Sequence, residues 1–495
     1  MRIDQRRAHA ASDCEVLRRL TACAALALAL IAPTLCSAEV LIRWDQPEVP
    51  SSASLGIATL VIPAENSGAA QNAVTRGYRV YLEVAARALS TFSPPAEGFA
   101  GVIVRGQASG EQLALLRARL GRRGRLITLD ERGKWPHIRS NWVTRHGEVL
   151  QVSNRSAQPW IENNAALMRI VHTTASNGGT AAGGTPGPTA FMTYQWQSET
   201  QSELDDGPDT ENYLVAIAEA GSFGGDLLLP LHQRFERDLL LGLPQAREAW
   251  QRIRQSMEFY SWGLPDQSVP VANIGVVTRD PQAWFEVMNL LSRHNLPFQL
   301  ISPAGLTTEL TASLDLLIVL DSPSAAQFSV LDGFAHRGGT LVLDRTGVAG
   351  TQAGSVSPWA ALRPLVTSDE RVSYKVGDGR VVEVRKGVAD PDKFALEIRE
   401  LLGAAHRSID IWNGITVIAA AYKDPDGRSM RVHVLNYAHQ PLPVQMRIAG
   451  TYSLVQYESP EERSTLLPYQ HRDGFTEVVL PALRTGGRIF LSNGP

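Results

Sequence analysis

One aspartate and the polar stretch after it contain the residues best suited to chemistry. The apolar run 126–129 predicts a buried strand, and Asp130 follows it directly. In a barrel of parallel strands, catalytic groups lie on the loops after the carboxyl ends of the strands. Asp130 is therefore a candidate catalytic acid. The alternative is a structural aspartate that caps a solvated loop.

The stretch after Asp130 combines indole, imidazole and guanidinium side chains. Sugar rings have apolar C–H faces that pack on indoles, and polar side chains bind their hydroxyls, so this mixture could line a saccharide cleft. The candidate substrate-binding residues of this stretch are Trp135, His137, Arg139, Trp142, Arg155 and Trp160.

Further carboxylates lie in or just after other predicted strands. Glu83 belongs to the apolar strand 79–84, where an unpaired glutamate is uncommon. Asp45 ends the first predicted strand, with a cap or turn as its alternative role. Glu199 follows the seventh predicted strand and could supply a second acid. The candidate catalytic residues are Asp130, Glu83 and Glu199.

Three more residues at predicted strand ends are candidate substrate ligands. Arg105 could bind a substrate hydroxyl or carboxylate, or could pair with Glu83 or Asp130 and lower the pKa of that acid. The alternative for Arg105 is a buried ion pair. Trp196 ends the seventh predicted strand, and His232 follows the eighth, where it could bind substrate or begin a helix.

The sequence predicts neither a metal site nor a cofactor. It has no metal-ligand spacing, no glycine-rich phosphate loop and no G-x-S-x-G nucleophile motif.

The amino terminus predicts a secretory signal peptide. Five arginines precede the apolar run 20–32, and Ala38 ends a small-residue cleavage site. A signal anchor is the alternative, but about 13 apolar residues are too few to span a bilayer comfortably. We therefore expect a secreted or periplasmic protein whose mature chain does not insert into the membrane.

All three cysteines precede this predicted cleavage site, at Cys14, Cys23 and Cys36. The mature chain would then have no disulfide and no thiol nucleophile. A lipoprotein attached through Cys36 is an alternative, although Pro33-Thr34-Leu35 fits that pattern poorly. The formal net charge of -3 gives no indication of a nucleic-acid partner.

The first large unit, residues 39–267, alternates apolar strands with helices. Eight such strands predict an α/β fold with a (β/α)8-like barrel. The predicted strands are 40–44, 57–62, 79–84, 101–104, 126–129, 149–152, 190–196 and 226–231. One long helix, kinked near Pro244, is predicted over 234–262.

Two further units follow the predicted barrel. Residues 268–366 contain short aliphatic strands without polar alternation, which predict a small Rossmann-like parallel sheet covered by helices. Residues 367–495 change to a period of two, beginning with the strand 380–385, and predict a C-terminal antiparallel β-sandwich.

Several segments of the last two units resemble a known family. They are Ile274-Gly-Val-Val-Thr, Asp315-Leu-Leu-Ile-Val-Leu-Asp, Arg337-Gly-Gly-Thr-Leu-Val-Leu-Asp, Val432-His-Val-Leu-Asn-Tyr, Tyr457-Glu-Ser-Pro and Gly487-Arg-Ile-Phe-Leu. With a barrel before them, they resemble multidomain glycoside hydrolases of the β-galactosidase type, which have a glutamine-amidotransferase-like middle domain. The resemblance covers residues 270–495 and includes no catalytic signature in the barrel. The middle domain is expected to be non-catalytic, because the mature chain would lack the amidotransferase cysteine.

Three functional hypotheses follow from these patterns. The first is a secreted glycoside hydrolase-like protein that acts on or binds an oligo- or polysaccharide at the barrel mouth. The second is an inactive relative that binds carbohydrate or serves as an envelope scaffold. The third is an exported envelope-assembly factor that forms oligomer contacts through the middle domain, so the sequence leaves a homo-oligomer open.

Overall fold

A computed structural model describes most of the chain after residue 38. The described residues are 39–94, 99–121, 124–129, 137–139, 143–146, 149–152, 161–177, 191–198, 200–261, 268–344, 358–425, 427–438, 440–462 and 464–494.

The first unit consists of eleven strands and eight helices in its described residues. The strands are β1 Val40–Arg43, β2 Thr59–Pro63, β3 Arg79–Ala85, β4 Phe99–Arg105, β5 Arg125–Leu129, β6 His137–Arg139, β7 Val143–His146, β8 Val149–Val152, β9 Phe191–Thr193, β10 Gln195–Gln197 and β11 Asp226–Pro230. The helices are α1 Ser52–Leu55, α2 Ser67–Thr75, α3 Gly110–Leu120, α4 Asn163–Asn177, α5 Gln201–Asp206, α6 Thr210–Phe223, α7 Gln233–Leu241 and α8 Pro244–Ser261.

Seven of these strands form one parallel sheet in the order β5-β4-β3-β2-β1-β11-β9. The last strand of the unit, β11, pairs with the first, as it does in a closed barrel. In a flat sheet, β5 and β11 would lie five strand spacings apart, about 24 Å. Instead, Nη2 of Arg125 in β5 is 3.3 Å from Oδ2 of Asp226 in β11. The sheet therefore curls into a nearly closed barrel, which confirms the predicted fold class.

Two details of the predicted barrel are wrong. The predicted sixth strand, β8, pairs antiparallel with β7 in a separate two-stranded sheet, because the two segments are close enough in sequence to form a hairpin. The single long helix predicted over 234–262 is two helices, α7 and α8. Gly242 ends α7 with a left-handed φ of 68°, a conformation that glycine adopts readily, and Pro244 begins α8.

The middle unit is a parallel sheet extended by an antiparallel hairpin. Its strands are β13 Ile274–Val277, β14 Phe298–Ile301, β15 Leu316–Val319, β16 Thr340–Asp344, β17 Pro364–Thr367, β18 Arg371–Val376 and β19 Gly379–Val384. Its helices are α9 Phe285–Arg293, α10 Thr308–Thr311, α11 Ala325–His336 and α12 Pro391–Leu402. The strand order is β14-β13-β15-β16-β19-β18-β17, and the first four strands are parallel and buried, as predicted.

The strand predicted over 380–385 was wrongly assigned to the sandwich. It is β19, which pairs in parallel with β16 and in antiparallel with β18, so the middle sheet continues beyond residue 366. The period-two pattern of 371–384 comes from a hairpin at the edge of this sheet, and such a hairpin shows the same alternation as a sandwich strand.

The last unit is a two-sheet β-sandwich. Its strands are β12 Val269–Pro270, β20 Ile409–Ile411, β21 Val417–Lys423, β22 Ser429–Asn436, β23 Leu442–Ala449, β24 Leu454–Glu458, β25 Thr465–Leu466, β26 Tyr469–Arg472, β27 Phe475–Leu483 and β28 Gly486–Ser492. The sheet orders are β12-β21-β22-β28-β24-β25 and β20-β23-β27-β26. Val432 and Ile489 of one sheet share a core with Met446 and Val478 of the other, which confirms the predicted sandwich.

Buried polar contacts join the barrel to the sandwich. The hydroxyl of Tyr437, just after β22, donates to Glu219 of α6 at 2.6 Å, and that of Tyr422 donates to the carbonyl of Ser222 at 2.9 Å. Buried side chains of both units also belong to one hydrophobic cluster. Within the described part of the chain, no helix has the length and apolar character needed to cross a membrane.

Candidate functional site

The candidate site lies inside the barrel at the carboxyl ends of its strands. Leu41 of β1 and Tyr81 of β3 pack together in the barrel interior. Side chains on one face of a strand recur every second residue. Arg43 and Glu83, two residues further along the same strands, therefore also point inward, near the mouth.

Glu83 of β3 is held by two arginines, Arg105 from the adjacent strand β4 and Arg43 from β1, two strands away. Its Oε2 accepts a hydrogen bond from Nε of Arg43, and its Oε1 accepts one from Nε of Arg105. The glutamate is almost fully buried. Of the two partners predicted for Arg105, Glu83 or Asp130, the structure shows Glu83, and both carboxylate oxygens of Glu83 have a charged partner.

Arg43 also connects Glu83 to Asp45. Its Nη1 donates to Oδ2 of Asp45, so one guanidinium bridges the two carboxylates. Burial works to lower the pKa of Arg43, but the charges of Glu83 and Asp45 outweigh it, and the pKa is raised. Arg43 therefore stays charged. Burial raises the pKa of Asp45, and Arg43 opposes that shift.

Glu236 forms a hydrogen bond to the loop that follows β1. It lies in the first turn of α7, is fully buried, and accepts a hydrogen bond from the backbone N–H of Asp45 at 2.8 Å. Burial raises the pKa of Glu236 to about 8. With this pKa the carboxyl group is mostly protonated at neutral pH, and its hydrogen bond fixes the backbone of Asp45.

The raised pKa of Glu236 predicts a stability that falls as the pH rises. Below the ordinary pKa of 4.5 the carboxyl is protonated in both the folded and unfolded states. Between 4.5 and about 8 the unfolded chain loses its proton while the folded chain keeps it, so folding becomes less favourable. Glu236→Gln cannot ionise, and it should be more stable than wild type at about pH 8 by on the order of 1–2 kcal/mol.

Chemical denaturation of the two proteins at about pH 5 and about pH 8 tests this prediction. Glu248→Gln, an exposed change on α8, is the matched control and should not alter the pH dependence. An equal stability difference between Glu236→Gln and wild type at both pH values would contradict the prediction.

Arg105 is the part of this network most accessible to a ligand. Its side chain is 39% exposed, against 22% for Arg43 and 6% for Glu83. A guanidinium has five N–H donors. Of the five N–H groups of Arg105, only the Nε–H has an acceptor among the described residues, and that acceptor is Glu83. The terminal nitrogens of Arg105 can therefore donate to a ligand in the mouth.

Two other predicted binding residues are described: His232 follows the barrel strand β11, whereas Trp196 belongs to β10, which pairs with β6 outside the barrel sheet and corrects the prediction that Trp196 ends a barrel strand. His232 begins α7, and its Nδ1 accepts from the backbone N–H of Arg234 at 3.3 Å, as the helix-start alternative expected. Trp196 is half-buried, and its indole N–H donates to the carbonyl of Glu203 at 3.3 Å. A role in substrate binding stays a prediction for both.

The remaining predicted residues cannot be placed in the site. His137 and Arg139 belong to β6, for which the structure describes only the backbone. Six candidates lie outside the described residues: Asp130, Glu199, Trp135, Trp142, Arg155 and Trp160. Asp130 follows β5 directly in the sequence, and β5 is confirmed as a barrel strand.

Sequence reasoning missed Arg43 and Glu236. Arg43 is a charged residue in the otherwise apolar strand 40–44, and that signal, which singled out Glu83, could have identified it. Glu236 carried no comparable signal, since an acidic residue in the first turn of a helix is common.

Solved structures with a similar fold include glycoside hydrolases. Alpha-L-fucosidase isoenzyme 2 from Paenibacillus thiaminolyticus is similar over 93% of this chain and 100% of its own, with a TM-score of 0.56 and 10% sequence identity. A beta-galactosidase from Bacillus circulans sp. alkalophilus is similar over 93% of this chain and 100% of its own, with a TM-score of 0.46 and 8% identity. The fold of this chain is thus similar to that of the fucosidase, a glycoside hydrolase, and the predicted resemblance is confirmed at the level of the fold.

No family model matches the sequence, and the comparison with curated proteins found no match.

Proposed function

We propose that this chain binds a saccharide at the mouth of its barrel, with Arg105 as a donor to the ligand. The observation that carries the proposal is the pairing of Glu83 with Arg43 and Arg105, which fixes two guanidinium groups at the carboxyl ends of β1 and β4. Arginine groups held in this way can donate to sugar hydroxyls or carboxylates without a further loss of side-chain freedom.

The same pairing favours binding over hydrolysis. Glycoside hydrolysis needs two carboxyl groups that reach the scissile bond, one as acid and one as nucleophile or base. Glu83 is buried, and both of its oxygens are occupied by arginines. It acts as a positioning residue for Arg43 and Arg105.

The compartment and the rest of the mouth belong to this proposal. The signal-peptide pattern of residues 1–38 supports export, so the ligand would be a saccharide outside the cytoplasm. The indoles between 135 and 160 would add stacking surfaces beside the arginines.

Replacing Arg105 tests the binding proposal. Arg105→Met keeps the length of the side chain and removes its donors, while Glu83 keeps Arg43 as a partner. A glycan array on wild type identifies a ligand, and calorimetric titration should then show affinity lowered about tenfold in the variant. Arg117→Met, an exposed change on α3 at the outside of the barrel, is the control and should bind as wild type.

Unchanged affinity in Arg105→Met, with the ligand still bound by wild type, would contradict the role given to Arg105. Wild type that binds no glycan would overturn the proposed function.

A second candidate function is hydrolysis of the bound saccharide, and one observation favours it. Asp45 lies beside Glu83 at the mouth, bridged to it by Arg43, and its side chain is 24% exposed, so it is a carboxyl group that a ligand could reach. Release of reducing ends from the array ligand by wild type, and its loss in Asp45→Asn or Asp130→Asn, would replace the binding proposal with this one. A ligand that wild type binds and leaves intact would support binding alone.

A further inference from the structure

The outer face of the second sandwich sheet has an exposed row of side chains. Met446 of β23 and Val478 of β27 point into the sandwich core, so their neighbours Gln445 and Val479 point outward, where both are exposed. The backbone N–H of Trp412 bonds to the carbonyl of Gln445 at 3.1 Å, which places Trp412 at the end of the same row. The row spans two strand spacings, about 10 Å.

The ring of Trp412 contacts a guanidinium on one side and is exposed to solvent on the other. Its side chain is 52% exposed. The guanidinium of Arg447 lies 5.9 Å from the centre of its ring and 4.6 Å from that of Phe475. Arg447 is fixed in turn by Asp410, whose Oδ2 accepts from its Nη2 at 3.1 Å. The indole thus has a guanidinium on one side, while about half of its surface faces solvent.

The polar group beside the indole suits a ligand rich in hydroxyls. The guanidinium of Arg447 shares the carboxylate of Asp410 with Arg399 and Arg407. The exposed amide side chain beside Trp412 is Gln445, which can both donate and accept. An aromatic ring next to an amide matches a sugar, which has an apolar C–H face and a rim of hydroxyls.

We propose that Trp412, Gln445 and Val479 form a second saccharide-binding surface, which binds another stretch of the same polysaccharide that enters the barrel mouth. This inference rests on the proposed function, because it takes the barrel ligand to be a saccharide. Two separated contacts on one polymer raise the overall affinity through effective concentration.

The size of the exposed apolar surface favours a saccharide over a protein partner. A tryptophan side chain contributes at most about 250 Å², so a half-exposed indole offers roughly 100 Å². A stable protein interface buries about 800 Å² on each partner. Among the described outward-facing residues of this row, Val479 is the other exposed apolar one.

Trp412→Ala tests the surface in the full chain. With cellohexaose, mannohexaose, xylohexaose and chitohexaose as soluble probes, the variant should bind its preferred probe about tenfold more weakly than wild type, at an unchanged melting temperature. Trp412→Phe keeps a stacking ring and should retain most of the affinity. Leu466→Ala is the control, since Leu466 is 71% exposed on β25 of the other sheet.

Each outcome separates this inference from the proposed function. Equal affinity in wild type and Trp412→Ala, with weaker binding in Arg105→Met, would overturn the second surface and leave the barrel site standing. No binding by wild type to any of the four probes or to the array would overturn both. If Trp412→Ala changes the molar mass measured by light scattering but not the affinity for saccharides, the surface binds a protein partner, and the proposed saccharide surface is overturned.

Discussion

Glu83→Gln should lower the free energy of unfolding by about 3–5 kcal/mol, because it removes the carboxylate shared by two arginines at the barrel mouth. A glutamine can accept from one guanidinium, but its amide N–H group would then face the other. Arg43 keeps Asp45 as a partner, whereas Arg105 has no other acceptor among the described residues. Thermal and chemical denaturation measure the loss, and hydrogen exchange should locate it in β3 and β4.

Two further variants make the Glu83 prediction specific. Glu111→Gln, an exposed change in the first turn of α3, should cost less than about 0.5 kcal/mol. Adding Arg105→Met to Glu83→Gln should restore part of the loss, since the unpaired guanidinium is gone. A Glu83→Gln protein that unfolds like wild type would show that the arginines are not held by this carboxylate.

Asp410→Asn should be about as damaging to the sandwich, with a loss of about 3–5 kcal/mol. Asp410 is almost fully buried and accepts from Arg399 at 2.6 Å and from Arg407 at 2.8 Å. It also accepts from Arg447 at 3.1 Å. Removing its charge leaves three guanidinium groups close together without their shared partner. Arg399 belongs to α12, so this carboxylate ties the middle unit to the sandwich.

Hydrogen exchange across α12, β20 and β23 would show where Asp410→Asn acts. The control is Asp473→Asn, because Asp473 is 85% exposed and lies 3.6 Å from Arg472. Surface pairs of this kind contribute little. Similar melting temperatures for the two variants would contradict the importance given to Asp410.

The fold could be predicted for those strands whose hydrophobic pattern fits only one kind of sheet. The aliphatic strands β13 to β16 are buried on both faces. This burial is typical of a parallel sheet with helices on both sides. The strands β8 and β19 were misassigned because a short apolar or alternating run fits a barrel strand, a hairpin or a sandwich strand equally well. Their partners depend on tertiary pairing, which periodicity does not report.

The site was predictable one residue at a time but not as a network. A glutamate in an apolar strand pointed to Glu83, and an arginine at a strand end pointed to Arg105. Arg43 joins them only because β1 and β3 both flank β2 in the sheet, a relation that the sequence does not state. Glu236 comes from the opposite end of the unit's sequence, and the barrel's closure through β11 brings it beneath Asp45.

The most direct test of saccharide binding at the barrel mouth is a crystal structure of residues 39–495 soaked with mixed oligosaccharides. We expect an intact sugar in the mouth, with a hydroxyl or carboxylate within hydrogen-bonding distance of a terminal nitrogen of Arg105 and with Glu83 still paired to both arginines. An empty mouth at saturating sugar would contradict saccharide binding at this site. A sugar cleaved between two carboxyl groups would contradict binding without hydrolysis.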